Sequence, residues 1–478
     1  MLERKHAGSA AAPDRSETLD RLSTGDAALD AVLGGGFPLH SITILLGHPG
    51  TGKTVLAEQL AFRNADGDRP VLYLTTMSEP LAKVVKFLQR FDFFDAEKMG
   101  AAIFYEDIGH ELSKRGPAVL LDWIRDAIRR ISPKIIIIDS FKAIHDLADT
   151  PQQMRRLAFE LASVLSAYDV TTFLVGEYAE SQIPLLPEFA VADAVVQLVR
   201  DSTRRRDERF LRVLKLRGST YHGGLHAFRL TTAGIAVHRR LVSPNHPPDY
   251  SPRVERIRTG TEGLDELLDG GFWAGSSTLV LGAAGSGKTT FGLGFAAEGA
   301  RSGEPSLYLN LQENPTQLAR TIASLGFDID LLRQQGLHLH YASPVELQID
   351  SIVGDMFKII GRERIQRVVI DAVGDLAIAA NDPERLHDYL YALVQYFMVQ
   401  GVSNVLTLES FAGPGLSARD MLRLSSISDT IIELDVLRDL SPRRTLRVIK
   451  SRGTDHDLRP HEMIIHAGGM RVLGPLAS

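Results

Sequence analysis

Apolar residues along this chain fall into two alternating patterns. Short continuous runs such as "SITILLG", "VLYLTT", "AAIFYE", "KIIIID" and "TTFLVGEY" are separated by stretches whose apolar positions recur every three or four residues, such as "TVLAEQLAF", "LAKVVKFLQRF", "LLDWIRDAIRRI" and "MRRLAFELASVLSAY". The first pattern predicts strands buried on both faces, and the second predicts amphipathic helices that cover them. Strand and helix in strict alternation specify an α/β architecture around a mostly parallel sheet. Toward residue 240 the helical spacing stops. The segments "DAVVQLV", "RFLRVLKL" and "HAFRLTTAGIAV" follow one another closely and predict antiparallel strands at a sheet edge.

The whole pattern then occurs a second time. "LSTGDAALDAVLGGGF" (Leu22–Phe37) is answered by "IRTGTEGLDELLDGGF" (Ile257–Phe272), "GHPGTGKT" by "GAAGSGKT", and "LKLRG" (Leu214–Gly218) by "IKSRG" (Ile449–Gly453). Each of the last two pairs is offset by 235 residues, a period that marks a duplicated domain rather than a solenoid repeat. The predicted organisation is a disordered segment over 1–15, a first domain over 16–240, a linker over 241–252 and a second domain over 253–478. The linker region "VSPNHPPDYSPR" carries four prolines and no periodicity, as a stiff extended connection requires.

Composition narrows the function classes. A net charge of −6 opposes wholesale coating of nucleic acid, and the absence of cysteine excludes disulfides, thiolate zinc sites and thiol nucleophiles. No apolar run reaches the ~20 residues of a membrane span, and the first residues lack a signal peptide's apolar core. A cytoplasmic protein is the expectation.

The two octets carry the strongest chemistry. Glycines (Gly47, Gly50, Gly52; Gly282, Gly285, Gly287), with the intervening Thr51 and Ser286, let backbone N–H groups turn inward around phosphate oxygens. Lys53 and Lys288 reach the terminal phosphates, while Thr54 and Thr289 offer hydroxyls to Mg²⁺. Both octets lie between a predicted strand and a predicted helix, whose N-terminus favours anions. ATP and Mg²⁺ are therefore the expected ligands. Asp139 and Asp371, each ending an apolar strand, are the matching acids that hold the magnesium.

Beyond this the halves diverge. After the second strand, "TTMSEP" in the first half stands against "NLQENP" in the second, which puts Met77-Ser78 opposite Gln312-Glu313. Glu313 can orient or deprotonate a nucleophile, and in the first half that work falls to the displaced Glu79 or to Glu177. Lys215 and Arg217, like Lys450 and Arg452, stand at i and i+2 and share one face of a strand. Two roles fit them: bridging acids on their own surface, or reaching a neighbouring subunit's γ-phosphate. The run "STRRRDER" lies between two predicted strands and reads as a solvated hairpin turn rather than a nucleic-acid contact.

With its tandem octets, its two "TGxxxLDxxLxGGF" leaders and its two "K-x-R-G" strands, the chain resembles the KaiC family of RecA-like ATPases from about residue 18 to 472. The resemblance implies two tandem RecA-like P-loop domains, a homohexamer with ATP at subunit interfaces, slow hydrolysis, and serine/threonine autokinase and autophosphatase activity. It also implies a small KaiB-like partner on the first-domain ring. The segment "RLSSISDTIIEL" aligns with "PEFAVADAVVQL", so Ser425 and Ser426 face Phe189 and Ala190 and match the family's phospho-acceptor pair. Two departures stand out: the glutamate pair of each domain is incomplete, and the KaiA-binding tail is not expected after the last strand. A DNA-dependent motor and an ATP-assembled scaffold are the alternatives from other classes.

Overall fold

A computed structural model describes residues 20–76, 81–202, 207–241, 254–345, 347–380, 383–409, 425–437 and 442–476. It divides into two compact units that meet in sequence at Arg239 and Arg240. The expected N-terminal segment, most of the linker, Met77 to Pro80 and the arginines at 204–206 lie outside the described residues.

Unit one holds a nine-stranded sheet: β1 (Ile42–Leu46), β2 (Val71–Thr75), β3 (Ile103–Asp107), β4 (Ile135–Asp139), β5 (Thr171–Gly176), β6 (Ala194–Asp201), β7 (Glu208–Leu216), β8 (His226–Thr231) and β9 (Gly234–His238). Their spatial order is β9-β8-β7-β6-β1-β5-β4-β2-β3. Every pair from β3 through β6 is parallel, and the pairs from β6 to β9 are antiparallel. Unit two repeats the same order with β10 (Ser277–Gly282), β11 (Ser306–Asn310), β12 (Leu337–Tyr341), β13 (Arg367–Asp371), β14 (Ser403–Glu409), β15 (Thr430–Leu437), β16 (Arg443–Ser451), β17 (His461–His466) and β18 (Gly469–Pro475). The fold is the expected one: two mostly parallel sheets flanked by helices, each with antiparallel edge strands.

Burial explains the sequence pattern. In "IIIID", Ile135 and Ile137 pack into one apolar cluster while Ile136 and Ile138 pack into another on the opposite face. Helices cover both faces, so alternation would be wrong here. One expectation needs refinement: "HAFRLTTAGIAV" is a hairpin of β8 and β9, with Thr231 opposite Gly234. The glycine at 234 (φ 107°) supplies the left-handed residue that the tight reversal needs. The described ends of "STRRRDER" adjoin antiparallel β6 and β7, where Asp201 faces Glu208; the hairpin turn expected between them lies outside the described residues.

The leader motifs are structural. Asp30 accepts from the backbone N–H and hydroxyl of Thr24, both at 2.7 Å, and Asp265 does the same for Thr259 at 2.9 and 2.7 Å. Each leader thereby closes a small cap beside the sheet, held by a two-residue ribbon (Arg21–Leu22 with Phe37–Pro38; Arg256–Ile257 with Phe272–Trp273).

Candidate functional site

Each octet sits at the carboxyl end of the strand inside its sheet's centre, β1 or β10, and opens a helix: α1 (Lys53–Asn64) or α2 (Lys288–Arg301). The third glycine of each octet is the helix N-cap in a left-handed conformation, Gly52 at φ 102° and Gly287 at φ 111°. The first glycine is required by close approach: a Cβ on Gly47 would lie 2.2 Å from the Leu198 carbonyl oxygen, and one on Gly282 2.6 Å from that of Leu434. Only glycine fits so close to the neighbouring strand, and the loops can therefore curl as a phosphate cradle demands.

The lysines lie over their own loops. Lys53 Nζ donates to the His48 carbonyl at 3.0 Å; Lys288 Nζ donates to those of Gly282 and Ala283 at 2.9 and 3.0 Å. Burial pulls both ammonium pKa values down, while Glu177 beside Lys53 and Glu409 beside Lys288 oppose that shift. Glu177 Oε1 stands 3.8 Å from Lys53 Nζ. Glu177 follows β5 and Glu409 ends β14 at matching positions, since Leu46 pairs with Gly176 and Leu281 with Leu408. Comparing "FLVGE" with "VLTLE" would have revealed Glu409.

The residues expected to hold Mg²⁺ lie together in both units. Thr54 Oγ1 donates to Asp139 Oδ2 at 2.8 Å, and Thr289 Oγ1 donates to Asp371 Oδ2 at the same distance. A hydroxyl and a carboxylate poised together at the foot of a phosphate loop are the donor set that Mg²⁺ with a nucleotide uses, and the residues fit that group. Ser286 Oγ is buried without a hydrogen-bond partner, so the second loop also holds an unspent donor.

Two tyrosines at the repeat offset were missed by sequence reasoning. Tyr73 and Tyr308 donate to Asp139 Oδ2 and Asp371 Oδ2 at 3.2 and 2.6 Å. Their recurrence in "VLYLT" and "SLYLN" was the available signal. Burial raises the Asp139 pKa, against the hydrogen bonds from Thr54 and Tyr73. Arg444 was also missed; its Nε donates to the Gly285 carbonyl at 3.3 Å.

Glu313 lies in the turn after β11. Its backbone is tied to Asn310, whose Oδ1 accepts from the N–H groups of Gln312 and Glu313 at 3.1 Å each. Its carboxylate accepts from Thr321 Oγ1 at 3.2 Å, and its charge reaches Tyr308. The neighbouring Gln312 side chain hydrogen-bonds Asp375, whose pKa burial raises. Glu79, the displaced carboxylate of the first half, lies outside the described residues.

The cation pairs have partners within the chain. Arg217 meets Asp193 at 3.3 Å and Arg452 meets Asp429 at 3.6 Å, the surface bridges named above as one of two roles. Lys215 Nζ donates to the Phe189 carbonyl at 3.3 Å. Lys450 Nζ donates to the carbonyls of Ser425 and Ser428 at 2.8 and 2.7 Å, and Arg452 to that of Ser426 at 2.7 Å. Cations and serines that are distant in sequence therefore form one cluster in unit two.

The family model described as "ATPase: KaiC" matches residues 22–242 and again 257–477. The chain is 28% identical over 465 residues to the circadian clock oscillator protein KaiC of Picosynechococcus sp., covering 93% of this chain and 88% of that protein. It is 28% identical over 473 residues to the KaiC of Parasynechococcus marenigrum (95% and 90%), and 26% identical over 476 residues to the circadian clock protein KaiC2 of Synechocystis sp. (96% and 83%). With both repeats matched and both phosphate loops built, this chain belongs to the KaiC family of ATPases.

Proposed function

We propose that the chain is a cytoplasmic, hexameric ATPase that phosphorylates itself and so serves as a timer or signalling switch. Its two domains, 16–240 and 253–478, divide the labour: the first ring assembles on ATP, and the second transfers phosphate to Ser425 or Ser426. The observation that carries this reading is the grip of Lys450 and Arg452 on the backbone of Ser425, Ser426 and Ser428. A hydroxyl segment held by two cations suits phosphate arriving from a neighbouring subunit, because the cations stabilise charge as the terminal P–O bond breaks.

Within each domain the octet backbone, with Lys53 or Lys288, would hold the phosphates. Thr54 with Asp139, and Thr289 with Asp371, would hold Mg²⁺, which supplies charge neutralisation at the phosphate oxygens. Glu313 would accept the serine or water proton in the second domain; Glu177 or Glu79 would do so more weakly in the first. Phosphate on Ser425 or Ser426 adds nearly two negative charges beside Lys450 and Arg452, enough to alter packing at an interface. A KaiB-like protein on the first-domain ring is the partner that fits a clock or timer role.

The test is to incubate the purified chain with γ-phosphate-labelled ATP, with and without single-stranded DNA. Label on the protein is the expected result. DNA-stimulated phosphate release without protein label would replace this reading with a motor, and neither outcome would leave an ATP-assembled scaffold.

A further inference from the structure

The two units brace their metal-site aspartates differently. Asp371 receives three hydroxyls, from Thr289, from Tyr308 and from Thr407 on the adjoining strand. In unit one the place of Thr407 belongs to Val175, because Leu45 pairs with Val175 as Val280 pairs with Thr407. Val175 lies directly opposite Asp139 and has nothing to donate.

Unit one has two polar groups that unit two lacks. Glu58, five residues after the loop lysine, is matched by Leu293, and Tyr105, paired with Tyr73 across the sheet, is matched by Leu339, paired with Tyr308. Tyr105 donates its hydroxyl to Glu58 Oε2. Its ring stacks on that of Tyr73, centroids 4.9 Å apart, and the Tyr73 hydroxyl also reaches Glu58. Glu58 is only 3% exposed, yet it shares a cavity of about 240 Å³ with Thr54, Tyr73 and Asp139.

A carboxyl buried at a position where the sister domain has leucine is costly without a compensating hydrogen bond. Tyr73 has a single proton and gives it to Asp139, so its contact with Glu58 is satisfied when Glu58 donates. Burial, outweighing the Tyr105 hydrogen bond, pushes Glu58 up to about 8, which leaves that proton in place near neutrality. Tyr105 thus donates to Glu58, Tyr73 donates to Asp139, and the protonated Glu58 faces the Tyr73 hydroxyl between them.

We propose that Glu58 and Tyr105 are positioning residues of the first nucleotide site: they aim the Tyr73 hydroxyl at Asp139 and so replace the brace that Thr407 gives Asp371. This rests on the reading that Asp139 holds the magnesium of a nucleotide. Partners that orient a metal-holding carboxylate commonly change metal affinity ten- to a hundredfold when removed.

The experiment measures the Mg²⁺ concentration for half-maximal binding of a fluorescent ATP analogue. It uses the full chain carrying Lys288→Ala, so that the first site is read. Glu58→Leu/Tyr105→Leu, the pair found in the second domain, should raise that concentration about tenfold. Adding Val175→Thr should recover most of the loss, and Glu58→Gln, which keeps a donor and an acceptor, should stay near wild type. Tyr105→Phe, a nearly isosteric change, guards against a folding failure and should show a smaller rise in the same direction. No rise in either Glu58→Leu/Tyr105→Leu or Tyr105→Phe overturns the proposal, as does a rise that Val175→Thr leaves untouched. Asp139→Asn separates the two levels: if it too leaves the Mg²⁺ requirement unchanged, the metal reading itself falls and takes this inference with it.

Discussion

The two domains of this chain share strand order, loop geometry and a 2.8 Å threonine–aspartate pair, yet the surroundings of those pairs differ. Around Asp371 the second domain gathers Thr407, Asp375, Glu409 and the turn that carries Glu313. Around Asp139 the first domain has counterparts of Tyr308 and Glu409 in Tyr73 and Glu177, and it adds the buried Glu58–Tyr105 pair instead. Among the described residues, serines stand beside the paired cations in the second domain where the first has Phe189. Duplication has kept the machinery that grips phosphate, while the groups that would move a proton or receive a phosphoryl group have diverged. The lesson is that a phosphate loop specifies binding, and its neighbours specify chemistry.

The largest expected effect sharpens this contrast at the proton acceptor. Glu313→Gln should lower the ATPase rate of the second domain about 10²-fold or more, the usual cost of losing a positioned base. Glu177→Gln should change total turnover far less. Steady-state phosphate release on the two single variants checks this, and a reversed ranking would exchange the roles assigned to the halves.

Assembly comes next in size. Nucleotide that binds only the assembled ring stabilises it by mass action, about 4 kcal/mol at a thousandfold excess over Kd. Lys53→Ala should therefore shift the chain toward smaller species at micromolar concentration, and Lys288→Ala should shift it less. Light scattering with and without ATP reads both; a particle mass indifferent to nucleotide would break the idea that the first ring is the assembling one.

The smallest effect concerns pH. Glu58 has its pKa raised by burial from 4.5 to about 8. Its contribution to stability is thus complete below the unfolded value and is lost as pH climbs through that window. The melting temperature of the first unit should decline from pH 5 to pH 8 by a few degrees more in wild type than in Glu58→Gln. Calorimetry that finds identical slopes would contradict the buried, protonated state.

How much of this was legible beforehand follows from what is local in sequence. Octets, strand-end aspartates and continuous apolar runs are local, and each was found where the structure has it. The β8–β9 hairpin looks like one segment in the sequence because the turn glycine, Gly234, sits in an otherwise apolar stretch. Glu58, Tyr105 and Thr407 were invisible for a different reason. Their significance depends on which residues pair across the sheet, and strand order places neighbours 30 to 50 residues apart side by side. The tyrosines at 73 and 308 could have been noticed, since the repeat offset preserves them. The serines at 425 and 426 stood out through the overlay of the two halves together with the family resemblance, whereas their contact with Lys450 and Arg452 needed the structure.

The central claim is that the two phosphate loops serve different ends, with phosphoryl transfer confined to the second domain. Mass spectrometry of the full chain after incubation with Mg·ATP tests it most directly. The account predicts phosphate on Ser425 or Ser426, none on residues 187–198, and loss of the label in Ser425→Ala/Ser426→Ala. Undiminished incorporation in that double variant would contradict it.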